Sequence, residues 1–319
     1  MPDESKSGMG VIVGLCAAIG LITVVGTLAF GRATLRPEPG NQPKAPATEA
    51  YGKRLIARTT EVLGPDVVDA KMRFTMSRLA CASCHIGAGA EPGNLSLVAA
   101  IAKYPRISPR SGGNETIEDR INGCMTRSMN GRALAEKSPE MMAMVSYLRF
   151  LADEDAATGA AQKKAHETPA FKTPDRRADL AAGERVFEER CAACHGKDGA
   201  GLAASTNPAE GFVFPPLWGD NSFNDGAGLH RVLTAARFVK AKMPLGKADL
   251  DDDEAFDVAA YFNSKPRPEM ANLDRDYPDR TKKPVDTSYG PYADTFPQEQ
   301  HRFGPFPPIE EYYKKLAKK

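Results

Sequence analysis

Two short runs hold the residues best suited to redox chemistry: Cys81-Ala-Ser-Cys84-His85, and about 110 residues further on, Cys191-Ala-Ala-Cys194-His195. Each pair of cysteines with two residues between them, and histidine directly after the second, has the spacing of a covalent haem c site. The thiols bond to the edge of the macrocycle and the histidine supplies one axial ligand to iron. A zinc site would need two further ligands at short spacing, and these are absent. A thioredoxin-like pair would need a βαβ context, and no strand-rich pattern surrounds either run. The chain therefore reads as a carrier of two covalently bound haem c groups. What lies on the far side of each iron decides whether it moves electrons only or also performs chemistry.

At the second motif the spacing points to Met243, within Ala241-Lys242-Met243-Pro244-Leu245-Gly246. Leu229, Val232, Leu233 and Ala236 form a helical face just before it, and Pro244 pushes Met243 out of helical geometry. A thioether there would raise the haem potential. Lys242 could compete for the iron if burial deprotonated its amine. His230 is a further candidate, on a segment read as helix.

At the first motif the reading divides. Ile117, Ile121, Cys124 and Met125 recur at helical spacing after an N-cap at Asn114 or Thr116. Arg120, Cys124 and Ser128 then share one helical face. Arg127 and Arg132 lie nearby, with Asn130-Gly131 expected to end the helix. Cations and a metal favour thiolate, and guanidinium forks suit oxyanions. One reading is a reactive sulfur beside an iron and an anion site. The other is a structural cysteine with solvent-facing arginines and Met125 or Met129 as ligand.

The elements that must position these residues follow from patterning. Tyr51 to Asp155 forms a first unit, closed by a helix that Ser138 caps and Pro139 opens, with Met141, Met144, Val145, Leu148 and Leu151 on its inner face. Residues 156–177 read as a linker. Residues 178–266 form a second unit, with Gly183, Val186 and Phe187 before its haem motif and a closing helix over Asp251–Asn263. The two units repeat one plan: helix, motif, long loop, closing helix. Residues 267–319, rich in Pro, Tyr and Asp, are expected to wrap over the body, partial disorder being the alternative.

Residues 1–8 form a short polar tail, and Met9 to Phe30 carries no charge. As a helix that segment would be about 33 Å long, enough to cross a bilayer. A start with only Lys6 against Asp3 and Glu4, and the lack of a clean A-x-A site, favour a retained transmembrane anchor over a cleaved signal. Residues 31–50 include a Pro-rich spacer. Haem attachment places the bulk outside the cytoplasm, anchored to the inner membrane or soluble in the periplasm. A net charge of +1 excludes a global argument for nucleic-acid binding. Of the six cysteines, four belong to the motifs and Cys16 lies in the apolar segment, so no disulfide framework is expected.

The segment from Arg120 through Cys124 and Ser128 to Arg132 resembles the active-site segment of the dihaem thiosulfate dehydrogenases. Phe214-Pro-Pro-Leu-Trp218-Gly219, Gly226-Ala-Gly228, Ala241-Lys242-Met243-Pro244 and the Tyr-Gly-Pro-Tyr and Phe-Gly-Pro-Phe-Pro-Pro runs of the tail are also similar to that family. The resemblance implies an all-α chain of two tandem cytochrome c-type domains, the N-terminal anchor being a departure from the commoner soluble form. It implies His85 and Cys124 as the axial pair of a catalytic haem, and His195 opposite Met243 or Lys242 at the second. It implies Arg110, Ser128 and Arg132 as substrate contacts. The implied reaction joins two thiosulfates into tetrathionate, or runs in reverse, and exchanges two electrons with an acceptor cytochrome or similar carrier. A tethered dihaem carrier without substrate chemistry, and a sulfur-oxidation subunit that depends on a partner protein, are the competing readings.

Overall fold

The computed structural model describes residues 48–91, 93–158 and 170–318. The apolar segment 9–30 and Cys16 lie outside these residues. Among the described residues no helix is long and apolar enough to cross a membrane.

The first half opens with α1 (Glu49–Ala57), whose N-cap Thr48 accepts from Tyr51 N, and continues into α2 (Thr59–Leu63). The haem motif follows in two short 3-10 turns, Cys81–Ser83 and Ile86–Gly89. A small hairpin pairs β1 (Arg106–Ile107) with β2 (Asn114–Glu115) in antiparallel register. Then come α3 (Ile117–Arg127) and α4 (Pro139–Thr158). Thr116 and Asp119 form a reciprocal capping box at the start of α3, satisfying two of the amides that a helix N-terminus leaves bare. Ser138 accepts from Met141 N at 3.1 Å at the start of α4.

The second half repeats the order. α5 (Leu180–Arg190) leads into α6 (Ala192–His195), which carries the second motif. β3 (Leu202–Ala203) pairs with β4 (Phe212–Phe214), and α7 (Val232–Lys242) and α8 (Asp252–Asn263) complete it. The architecture is helical, with these two short hairpins as additions to the all-α expectation. Leu229 and His230 lie in a 3-10 turn, Gly228–His230, and not in the helix expected there; α7 starts at Val232.

The opening helix of each half crosses its closing helix, and each crossing has a glycine at its closest point. A Cβ on Gly52 would stand 1.9 Å from the Ala143 carbonyl oxygen, and one on Gly183 would stand 2.1 Å from that of Asp257. Only a residue without a Cβ lets the backbones approach this far. Leu55 and Ile56, three and four residues after Gly52, are buried, as is Phe187 four after Gly183.

Residues 267–318 are packed along both halves. Tyr277, Phe303, Phe306 and Ile309 are buried, and α9 (Gln298–Phe303) and α10 (Pro307–Leu316) cover the second half. The Phe306 ring stands edge-on to Phe256, 6.1 Å between centroids. Asp276 Oδ1 accepts from Arg127 at 2.8 Å in the first half, and Asp286 Oδ2 accepts from Leu233 N at 3.0 Å in the second. The halves also meet directly. The Asn224 amide donates to Thr126 O at 2.9 Å and to Asn130 Oδ1 at 3.1 Å.

Candidate active site

α3 carries Arg120 and Cys124 one turn apart, Ser128 is its C-cap one turn further on, and all three line a cavity of about 320 Å³. Cys81, Cys84 and His85 line the same cavity. Arg110 lines it too, and Phe223, Leu229, Arg231 and Thr234 come from the second half. A cleft of about 620 Å³ adjoins it and shares His85, Arg110, Arg120, Cys124 and Arg231.

The two histidines are held alike. His85 Nδ1 lies 2.7 Å from the Leu95 carbonyl, and His195 Nδ1 lies 2.8 Å from that of Pro215. With Nδ1–H donating to the carbonyl, Nε2 is the nitrogen left to bind a metal. Desolvation lowers the His195 pKa, which favours the neutral ring that a metal requires.

The three sulfurs of the cavity differ in character although all are deeply placed. Burial pushes Cys81 up to about 11 and Cys84 up to about 12. Burial would do the same to Cys124, but Arg120, then His85 and Arg110, outweigh it and bring the thiol down to about 7. Arg120 is raised in turn, chiefly by Cys124. The arginine one helical turn before the cysteine therefore makes this sulfur a thiolate near neutrality.

Arg110 donates to Gly226 O at 3.0 Å and lies 3.6 Å from Asp276 Oδ2. Arg132 is not part of the cavity wall. Asn130 adopts φ 47° and turns the chain away from the α3 axis, so helical spacing no longer applies. The Arg132 guanidinium stacks 3.7 Å over the Phe74 ring and donates to Arg73 O and Lys71 O. Met125 and Met129 are both buried in the core; Met129 lines the cavity and Met125 the adjoining cleft. Arg127 is a cavity residue that the spacing argument passed over; it bonds Asp276 Oδ1 at 2.8 Å. Its position three residues after Cys124 was the available signal.

At the second motif, Met243 is the C-cap of α7, donates its amide to Val239 O, and packs half-buried against the core. The Lys242 amine reaches the first half: a Cβ on Gly93 would lie 3.6 Å from its Nζ. His230 Nδ1 lies 2.8 Å from Asp225 O and 3.1 Å from Ser288 Oγ. Desolvation, with Arg267 adding, pushes it down to about 4.

Residues 72–155 match the family model described as SoxA/TsdA, cytochrome c domain, and residues 178–262 match that described as Cytochrome C oxidase, cbb3-type, subunit III. The chain is 42% identical over 203 residues to a thiosulfate dehydrogenase of Psychrobacter arcticus, covering 63% of this chain and 60% of that protein. It is 41% identical over 223 residues to a thiosulfate dehydrogenase of Allochromatium vinosum, covering 68% of this chain and 77% of the relative. The chain belongs to the thiosulfate dehydrogenase family. Among solved structures, it is similar to thiosulfate dehydrogenase (TsdBA) from Marichromatium purpuratum, with a TM-score of 0.61 and 31% identity over 74% of this chain and 50% of that one. The chain thus spans 60% of the first relative's length and half of the structural one.

The residues fit the cofactor of this family. Each motif pairs two free thiols with a histidine whose Nδ1 is fixed by a carbonyl, and the first opens on a cavity. Among the described residues no cluster of three or more His, Cys, Asp or Glu offers a zinc-type donor set. Thiosulfate dehydrogenases of this type are dihaem proteins, and the two motifs attach two haem c groups.

Proposed function

We propose that this chain oxidises two thiosulfates to tetrathionate in the Cys124 cavity and delivers two electrons to an external acceptor cytochrome or similar carrier. The observation that carries this reading is the placement of Cys124, with its thiol brought down to about 7, facing Arg120, Arg110 and His85 in one cavity. A carrier without substrate chemistry has no use for a depressed thiol ringed by guanidinium groups.

When bound, haem c supplies a one-electron acceptor at each motif. The chain's own residues do the rest. Arg120 and Arg110 attract and orient the dianion. Cys124 sulfur bonds to the sulfane sulfur of the first thiosulfate, giving Cys–S–S–SO3⁻, and two electrons leave. The sulfane sulfur of the second thiosulfate attacks the same atom, displaces the Cys124 thiolate, and departs as tetrathionate. Division into two displacements is the ordinary benefit of covalent catalysis. Ser128, on the same face of α3, offers a hydroxyl donor to a sulfonate oxygen.

In this reading His85 and Cys124 would hold the iron of the first haem, and His195 and Met243 would hold that of the second. Met243 is preferred to Lys242 because the Lys242 amine reaches Gly93 of the first half. Residues 51–155 and 178–266 form the two haem domains, 156–177 links them, and 267–319 covers both. Covalent haem attachment implies a location outside the cytoplasm. Anchoring by 9–30 to the inner membrane is the finer expectation, resting on its 22 uncharged residues.

Cys124→Ala tests the mechanism. The variant is expected to keep both haems in its absorption spectrum and to lose thiosulfate-dependent turnover by at least about 100-fold. Full activity would refute the covalent route. Activity of the unmodified protein on free thiosulfate, with no added protein, excludes the partner-dependent reading.

A further inference from the structure

The Cys124 cavity is not complete within the half that bears it. Arg231, from the residue just before α7, lines both the cavity and the adjoining cleft. Its Nη1 donates to Asp286 Oδ1 at 3.4 Å, long for a hydrogen bond though within an ion pair, and its Nε is buried without a hydrogen-bond partner. Asp286 is buried and spends its other oxygen on Leu233 N. The carboxylate therefore fixes the root of α7 more than it satisfies the guanidinium. A buried N–H left without an acceptor costs free energy, so this guanidinium, which lines the cavity, keeps hydrogen-bonding capacity that Asp286 does not use.

Charge supports this. Two thiosulfate dianions must meet near Cys124. Arg110 is already engaged with Gly226 O and Asp276, and Arg120 is matched to Cys124 itself.

We propose that Arg231 is an anion-binding residue of the Cys124 cavity, supplied across the junction by the second half, and that it receives an oxyanion. Two sources share that chemistry: a sulfonate of thiosulfate or tetrathionate, and a carboxylate of the bound haem. Each offers adjacent oxygens to a guanidinium fork. The sulfonate source rests on the proposed function; the carboxylate source does not.

The test uses the oxidised dihaem protein and its Arg231→Gln and Arg231→Lys variants. Tetrathionate, which cannot reduce the protein, is titrated while the haem bands are followed, and both haem potentials and the thiosulfate kcat and KM are measured. For a sulfonate, Arg231→Gln weakens tetrathionate binding roughly 10- to 100-fold. KM then rises more than kcat falls, both potentials stay, and Arg231→Lys recovers part of the loss. For a haem carboxylate, binding is unchanged and the first haem's potential moves. Native binding, KM and potentials in Arg231→Gln overturn the proposal. If the unmodified protein neither binds tetrathionate nor oxidises thiosulfate, the proposed function fails with the sulfonate source. The potentials alone then decide for or against Arg231.

Discussion

Cys124 illustrates how one neighbour sets the chemistry of a side chain. It shares its depth with Cys81 and Cys84, and burial, with repulsion between the sulfurs adding to it, drives those two thiols upward. Arg120, one turn away, reverses the outcome. This part of the site was legible in the chain because i, i+4 spacing within a helix places side chains together wherever the helix sits. Arg132 lies off the cavity wall for the complementary reason: beyond Asn130 there is no helix to place it with Cys124. His230 carries a separate consequence. Burial holds its folded-state pKa at about 4, below the usual 6.5. Between these values the unfolded chain binds the proton and the folded one does not, so the contribution is whole above pH 6.5 and is lost as pH falls towards 4. The loss is expected to reach roughly 3 kcal/mol. Thermal unfolding followed across that window, in the native protein and in His230→Gln, should show the variant with the shallower pH dependence.

At the scale of elements, the two helix crossings are the shared device that sets each haem motif against its closing helix. The repeat is visible in the chain as a glycine followed at three and four residues by apolar side chains. In the second half Gly183 is followed by Val186 and Phe187, and the matching Gly52, with Leu55 and Ile56, was apparent only once the helices were seen to cross. Gly183→Ala places a methyl 2.1 Å from a backbone carbonyl, which no rotamer can relieve. It is expected to cost about 1–3 kcal/mol and to lower the melting temperature, measured by circular dichroism on the holoprotein. An unchanged melting temperature would mean that α5 and α8 slide apart without penalty. The haem motif itself, lying just past α5, should keep its covalent attachment.

At the scale of the whole molecule, the tail joins the halves through carboxylates. Asp276 serves Arg127, Arg110 and the Tyr289 hydroxyl, the last at 2.7 Å. Neither this node nor Arg231 with Asp286 was readable beforehand, because their partners lie far apart in the chain and no local period connects them. Composition alone left the tail divided between wrapping and disorder, since buried carboxylates and tyrosines look polar until their partners are known. Asp276→Ala leaves two mostly buried guanidinium groups without their carboxylate. It is expected to cost about 3 kcal/mol, seen as a lower urea midpoint, and, on the proposed function, to weaken thiosulfate binding through Arg110. A variant with native stability would show that water or the neighbouring carbonyls replace the carboxylate.

The origin of the cavity wall bears on how such chains can be rearranged. Cytochrome c domains invite treatment as interchangeable cassettes, each with its own motif and ligands. Here Phe223, Leu229, Arg231 and Thr234 of one half form part of the chamber of the other. A hybrid joining residues 51–155 to an unrelated electron-transfer domain would lack these wall residues, and its chamber would open onto a foreign surface. An exchange that keeps this chamber intact must move the two haem units together, or carry the 223–234 stretch along with the first.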